Sequence, residues 1–445
     1  MSRFCKTLET TYNIPAVGGA AANMIKYAVG YNITNVTGMP VRFVGFPFPV
    51  AGQPQKVHRR YVRGNDMLTG KPMMQTIIEG LTKPRTEDEK YSGPAPAPTP
   101  EPRFLPPDTE ENLRRLFNEK DWTDYNPIIL PAEERVKAML EGTSHEPDEV
   151  VTVLTWPGGE RKFTVEKAAI CAVMAGAKPE YFPLILALGT QVGNFGNSTS
   201  SMANIILVNG PIRNEIGMNY KGNAMGPHNE VNSVVGRVFT LMAKTAGNIH
   251  HGVTTFSTLG SNLQYNNLCI AENEEALPEG WKPYHVRMRY QPNDSTVTVG
   301  RGWTYISSVG EAQKAYPPHY LMRDYMRSLA ALGGGTVIMD PTVAALLKDN
   351  YDIKTKDDLS KWLADNVEKT VASFWGNGVA STALMPIARQ GIPPFADYLK
   401  MPGDKLIKPL NARSINILAV GGEIQTTWFV TDFSLGRPVS VDEWR

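Results

Sequence analysis

Residues 92–107, SGPAPAPTPEPRFLPP, place seven prolines in sixteen positions. Each ring fixes φ and removes a backbone donor, so the stretch favours an extended, semi-rigid polyproline conformation and excludes helix and central strand. No single domain runs through such a segment. The 445-residue chain is therefore expected to comprise a small α/β module over 1–91, a proline-rich linker and arm over 92–130, and a main region over 131–445. The main region is long enough for two subdomains, with a division expected near 310–335.

Within these parts, strand and helix patterns alternate. Residues 40–50 read as a short strand and 73–81 as a short helix. Pro131 opens a helix that stops near Gly142, and Thr164 is placed to cap a helix ending at Gly176. Residues 204–208, NIILV, form an apolar run of buried-strand length, and 233–244 a helix with an apolar face. A strand over 336–339 runs into Asp340-Pro341, the start signature of a helix through Leu347, and 355–370 reads as another helix. A last strand over 415–420 precedes Gly421-Gly422-Glu423. The pattern predicts a multi-domain α/β protein with mainly parallel or mixed sheets flanked by helices.

Charge narrows the partners. With 45 basic against 44 acidic residues, no electrostatic field favours nucleic acid or an anionic membrane. The N-terminus lacks a signal-peptide pattern and no apolar window is long enough to span a bilayer, so a cytoplasmic location is expected. Cys5, Cys171 and Cys269 are widely spaced and form no CxxC pair, which argues against a disulfide framework or a multi-thiolate metal site.

Residues 189–275 hold fourteen asparagines. Asn brings donors and an acceptor without charge, so such a set is either satisfied locally in turns or satisfied by a ligand. Asn197, Ser198, Thr199, Ser200 and Ser201 could present hydroxyls and backbone N–H groups to an anion, although an ordinary turn explains them equally well. The P-loop lysine is missing and no G-x-G-x-x-G occurs in context, so no nucleotide cofactor is expected. Beyond the buried strand, Asn209-Gly210-Pro211 leads to Arg213, a candidate carboxylate clamp, and then to Asn219. Cys269 leads into Glu272, Glu274 and Glu275, where neighbouring carboxylates favour Glu272 over the thiol for proton transfer. His285 is a second candidate proton carrier, read as lying in a strand. A divalent metal would have to be assembled from His228, His250 or His251 with acidic residues, since no metal-ligand spacing is present.

The stretches VEKAAICAVMAGAKPEYFPLILAL, STSSMANIILVNGPIRNEIGMNYKGNAMGPHNEVNSVVGR, NNLCIAENEE and DSTVTV resemble a bacterial family associated with proteins bearing a (seleno)cysteine-Gly-Ser-Cys (UGSC) motif. Those proteins are distantly similar to the thiol subunit of glycine-reductase-type enzymes. The resemblance covers roughly residues 134–445, and the stretch from Gly38 to Pro84 resembles the later half of the thiol module itself. This chain departs from the pattern in lacking any Cys-Gly-Ser-Cys and in carrying Ala177 where family members often have cysteine. A homo- or hetero-oligomer is expected, and the resemblance implies that any thiols come from a separate subunit, which would make this chain one part of a hetero-oligomer.

Together these readings predict the large substrate-binding, catalytic subunit of an oxidoreductase or lyase that cleaves a small polar or carboxylated molecule reductively or eliminatively. Two alternatives are a self-contained metal-dependent lyase or hydrolase, and a non-catalytic scaffold subunit.

Overall fold

The computed structural model describes residues 2–25, 41–50, 52–89, 103–156, 159–195, 202–247, 249, 257, 259–309, 315–329, 333–422 and 425–445. The architecture is multi-domain α/β with mixed sheets, and its main region is built on two of them. One contains the strands Ala203–Asn209, Leu268–Ala271 and Thr296–Gly302, edged by Ser434–Leu435 and Val439–Ser440. The other runs in the order Ile415–Ala419, Gly335–Met339, Thr427–Thr431, Tyr305–Val309.

The strands alternate their faces, and the two sets of faces define four layers. Ile206, Val208, Cys269, Ala271, Val297 and Val299 face the helices Val165–Ala175, Phe182–Gly189 and Glu230–Gly247 in one core. Val337, Met339, Ile415, Ile417, Trp428 and Val430 pack with the helices Pro318–Ser328, Pro341–Tyr351 and Lys356–Asn366 in a second. Between the sheets, Ile205, Leu207 and Ile270 meet Ile338, Leu418 and Phe433 in a third. The result is helix, sheet, sheet, helix. Fully burying such an aliphatic side chain contributes about 1.5–3 kcal/mol, so the all-buried strands Ala203–Asn209 and Gly335–Met339 anchor the molecule.

The two sheets repeat one plan. Ala203–Asn209 pairs parallel with Leu268–Ala271 and antiparallel with Thr296–Gly302. Gly335–Met339 pairs parallel with Ile415–Ala419 and antiparallel with Thr427–Thr431. Each half then sends its next strand to the edge of the other sheet: Tyr305–Val309 joins Thr427–Thr431, and Ser434–Leu435 joins Thr296–Gly302. This exchange crosses the 310–335 region expected to divide subdomains, so paired strands come from both sides of it. Because Val297 lies opposite Val208 and Trp428 opposite Met339, Arg301 and Asp432 occupy equivalent positions in the two halves.

Local signals shaped the helices as expected at several points. Thr164 accepts from the Lys167 amide and Gly176 closes the helix at φ 84°. Asp340 caps Pro341–Tyr351 by accepting from Thr342. The helix expected over 355–370 ends at Asn366, because residues 369–370 pair instead with Leu406–Ile407. In the N-terminal module, Val17–Ala21 and Arg42–Phe46 form a two-stranded parallel sheet beside the helices Gln55–Arg63 and Met73–Thr82.

Candidate functional site

The carboxyl ends of both parallel strand pairs lie at one pole of the sandwich, the place where α/β proteins usually build sites. Asn209 ends one strand, and Gly210 turns the chain at φ 84°. A Cβ at Gly210 would stand 2.2 Å from the Asp294 carbonyl oxygen, so no other residue fits. The turn brings Asn209 and Arg213 to Glu272, Glu274 and Glu275.

Glu272 is fully buried. One of its oxygens accepts from Asn209 Nδ2 at 3.0 Å and the Tyr284 amide at 2.7 Å; the other accepts from the Ala419 amide at 3.3 Å and from the Lys356 ammonium. Lys356 is equally buried, which lowers its pKa, while the Glu272 charge pulls it back up. Arg213 grips Glu275 with both terminal nitrogens, at 3.2 and 3.0 Å, donates to the Glu272 carbonyl at 2.6 Å and lies over the Tyr220 ring at 4.7 Å. Burial alone would raise the Glu275 pKa, but the Arg213 fork holds it low. Glu274 accepts from Asn209 Nδ2 at 2.9 Å and the Gly210 amide at 2.8 Å.

Asn209, Arg213, Glu272 and His285 are thus brought together; Arg213 and Glu272 are satisfied within the network, whereas Asn209 Oδ1 and His285 Nδ1 are buried without a hydrogen-bond partner. Arg213 has its carboxylates supplied by this chain, and Glu272 meets four donors and no solvent. His285 lies in the short helix Tyr284–Arg287, not in a strand, because Pro283 precedes a single turn; its Nδ1 is 3.9 Å from Glu274 and its Nε2 3.3 Å from the Pro292 carbonyl. The cluster spans both halves, since Lys356 and Ala419 belong to the second sheet's layer and Asn209 and Glu272 to the first.

The other candidates stand apart from it. Asn219 donates to Asn229 Oδ1 at 2.7 Å and to the Gly222 carbonyl at 3.0 Å, and its amide donates to Asn232 Oδ1 at 3.0 Å, so this asparagine loop satisfies itself. His228 is exposed in the same loop at φ 73°. Among the described residues no group of three or more His, Cys, Asp or Glu side chains is placed to hold a metal. Asn197, Ser198, Thr199, Ser200, Ser201, His250 and His251 lie outside the described residues. Cys269 is buried against the helix Glu230–Gly247, and burial pushes its thiol pKa far up. Burial likewise raises Cys171 to about 11 and raises Cys5.

A cleft of about 400 Å³ opens at the opposite pole, where the two exchanged chain segments cross between the sheets. It is lined by Arg301, Trp303, Gly334, Ser414, Asp432 and Ser434, among others. Gly334 admits the Ser414 backbone, whose oxygen would lie 2.1 Å from a Cβ at that position. Asp432 is 6% exposed. Its Oδ1 accepts from the Trp303 amide at 2.8 Å and the Thr304 amide at 3.0 Å, tying the bend, while its Oδ2 has no hydrogen-bond partner. Burial raises its pKa, and the amides and Lys369 offset only part of the rise. A buried carboxylate with an unpartnered oxygen, in a cleft that Arg301 also lines, has the chemistry for proton transfer. Sequence reasoning passed over both residues. The available signal was Arg301 between Gly300 and Gly302, whose small neighbours let another backbone approach, and an acidic residue in the apolar run WFVTDF.

No helix among the described residues is long and apolar enough to cross a membrane. Comparison with protein-family models, curated proteins and solved structures finds no match.

Proposed function

We propose that this chain is the substrate-binding, catalytic subunit of an enzyme that cleaves a small carboxylated molecule, working in the Arg301–Asp432 cleft. The observation that carries the reading is Asp432, which lines the cleft together with Arg301 and whose Oδ2 is buried without a hydrogen-bond partner. A cleft of about 400 Å³ suits a small metabolite. Arg301 is exposed within it, and its guanidinium fork matches a carboxylate bidentately.

In the eliminative reaction the Asp432 carboxylate takes the proton from the carbon beside the substrate carboxylate, the C–H electrons form the new double bond, and the leaving group departs with its bonding pair. The raised pKa makes Asp432 a stronger proton acceptor than an exposed aspartate and lets it return the proton afterwards. In the reductive variant a dithiol of a partner subunit supplies two electrons and two protons: the bond from carbon to the leaving group breaks, a carbon–hydrogen bond replaces it, the leaving group departs protonated and the dithiol ends as a disulfide. Cys5, Cys171 and Cys269 are all buried with raised thiol pKa, which supports an outside source for such thiols. The Glu272 carboxylate, bonded to Lys356 and the Ala419 amide, acts as the clamp between the two halves.

The test is proton exchange in heavy water. Small hydroxy-, amino- and thioether-substituted carboxylates are incubated with the protein, and loss of the proton next to the carboxylate is followed by NMR. At least one should exchange with the wild type. Asp432→Asn should slow that exchange by about 10²–10⁴-fold, the usual worth of a positioned acid–base group. Exchange unchanged in D432N would rule the assignment out.

A further inference from the structure

The near-neutral charge of the whole chain hides an uneven distribution. Residues 1–91 carry twelve basic against six acidic residues, and residues 92–445 carry 33 against 38. The excess in the N-terminal module is concentrated on one helix, Gln55–Arg63. Lys56, Arg59, Arg60 and Arg63 stand at i, i+3, i+4 and i+7, so all four project from one face of it, and all four are exposed. The opposite face turns inward: His58 Nε2 lies 2.7 Å from the Val50 carbonyl oxygen, and the Tyr61 hydroxyl donates to the Pro49 carbonyl at 3.2 Å. Among the described residues none of the four cations is held in an ion pair. The carboxylates of the module are committed elsewhere. Glu9 is paired with Arg85, Glu79 with Lys83 at 3.0 Å and Glu89 with Arg42 at 2.6 Å. Asp66 is fully buried and accepts from the Gly45 and Leu68 amides and the Thr69 hydroxyl. Like charges at helical spacing repel, and Lys56 in the first turn also opposes the helix dipole, so the stripe does nothing for the helix that carries it.

Exposed apolar side chains stand at both ends of the stripe. Phe48, in the loop that leads into the helix, is 70% exposed; Met67 and Leu68, in the loop that leaves it, are 59% and 44% exposed. The Met67 amide donates to the Gly45 carbonyl at 2.9 Å, which returns the second loop to the end of the strand Arg42–Phe46 from which the first departs. Cations and apolar groups are thus gathered at one end of the module. We propose that this end seats on the surface of an anionic lipid bilayer, with the four cations against the headgroups and Phe48, Met67 and Leu68 entering the apolar boundary. A bilayer offers both chemistries at once, over a surface that yields to a convex helix. A nucleic-acid backbone meets the cations but leaves Met67 and Leu68, which have no ring to stack on a base, facing water. The net charge of the chain does not oppose this placement, because screening limits the field at the stripe to charges within about 8 Å in physiological salt.

The full-length protein is mixed with vesicles of phosphatidylcholine, alone or with about one-third phosphatidylglycerol, and the bound fraction is read by flotation. Each cation near such a surface strengthens binding about fivefold, so the mixed vesicles should bind at least about a hundredfold more tightly than the neutral ones. Arg59→Gln with Arg60→Gln should weaken binding to the mixed vesicles about 25-fold. Phe48→Ala should weaken it roughly tenfold through lost apolar burial. Arg114→Gln with Arg115→Gln, which takes the same charge from the exposed face of the helix Glu110–Glu119, should leave it unchanged. Polyglutamate or duplex DNA, added at equal anionic charge, should leave the protein on the vesicles. The proposal is overturned if the mixed vesicles fail to bind, if either the Arg59/Arg60 or the Phe48 variant binds as wild type does, if the Arg114/Arg115 variant loses as much, or if polyglutamate or DNA displaces the vesicles, which would assign the stripe to an acidic protein or a nucleic acid.

Discussion

Replacing Glu272 with Gln tests the clamp that joins the two halves. The side chain keeps its shape, but one terminal oxygen becomes an NH₂ donor. In one orientation that donor faces Asn209 Nδ2 and the Tyr284 amide; in the other it faces the Lys356 ammonium and the Ala419 amide. Asn209 could turn its amide to relieve the first clash, but only by giving up its 2.9 Å bond to Glu274. Either way Lys356 is left buried without its counter-charge, a change that costs about 3–5 kcal/mol when one member of a buried pair is removed. That is a large share of a typical total stability of about 5–15 kcal/mol. Glu272→Gln combined with Lys356→Met removes the stranded charge, so the double variant should recover about 2–3 kcal/mol relative to the sum of the singles. The pH dependence has a defined sign. Burial already lowers the Lys356 pKa, and loss of Glu272 lowers it further. A depressed folded-state pKa means that the penalty is complete below it and shrinks as pH rises towards the ordinary lysine value of about 10.4. Urea unfolding followed by tryptophan fluorescence gives the free energies, and hydrogen exchange at the Tyr284 and Ala419 amides reports the network itself. A cost for Glu272→Gln below about 1 kcal/mol, or simple additivity with Lys356→Met, would refute the clamp.

Asp432 carries the opposite sign. Burial raises its folded-state pKa, so its contribution to stability is full at low pH and is lost as pH rises from about 4 through the folded value. Asp432→Asn keeps the acceptor for the Trp303 and Thr304 amides and should gain stability over wild type along that range, as thermal melts at stepped pH would show. Gly334→Ala drives a Cβ against the Ser414 carbonyl oxygen and should cost about 1–3 kcal/mol in urea unfolding. Cys171 and Cys269 should resist iodoacetamide in the native protein at pH 8 and react on denaturation, as read by mass spectrometry, because each is buried with a raised thiol pKa.

Much of the framework was legible because its signals are local. The apolar run at 204–208, the Thr164 and Asp340 caps and the Gly176 stop each depend on a few neighbouring residues, and each became the element expected. Asn209, Arg213 and Glu272 could be grouped because they flank two strands that pair in parallel. What closes the group was hidden. Lys356 reads as an ordinary first-turn lysine on a helix, and only the packing of the second half onto the first buries it against a carboxylate 84 residues away. Arg301 and Asp432 were hidden for the same reason. Their equivalence follows from the antiparallel pairing of Thr296–Gly302 and Thr427–Thr431 in the two sheets, a long-range pairing that periodicity within one segment does not reveal.

The most direct test of the central claim is a ¹³C NMR titration of the Asp432 carboxyl in the intact protein, with and without a small carboxylate that exchanges its proton. A midpoint above that of an ordinary aspartate, moved by the ligand in wild type but not in Arg301→Met, is the predicted result. A midpoint at or below the ordinary value, indifferent to every ligand, would contradict the placement of acid–base chemistry in this cleft.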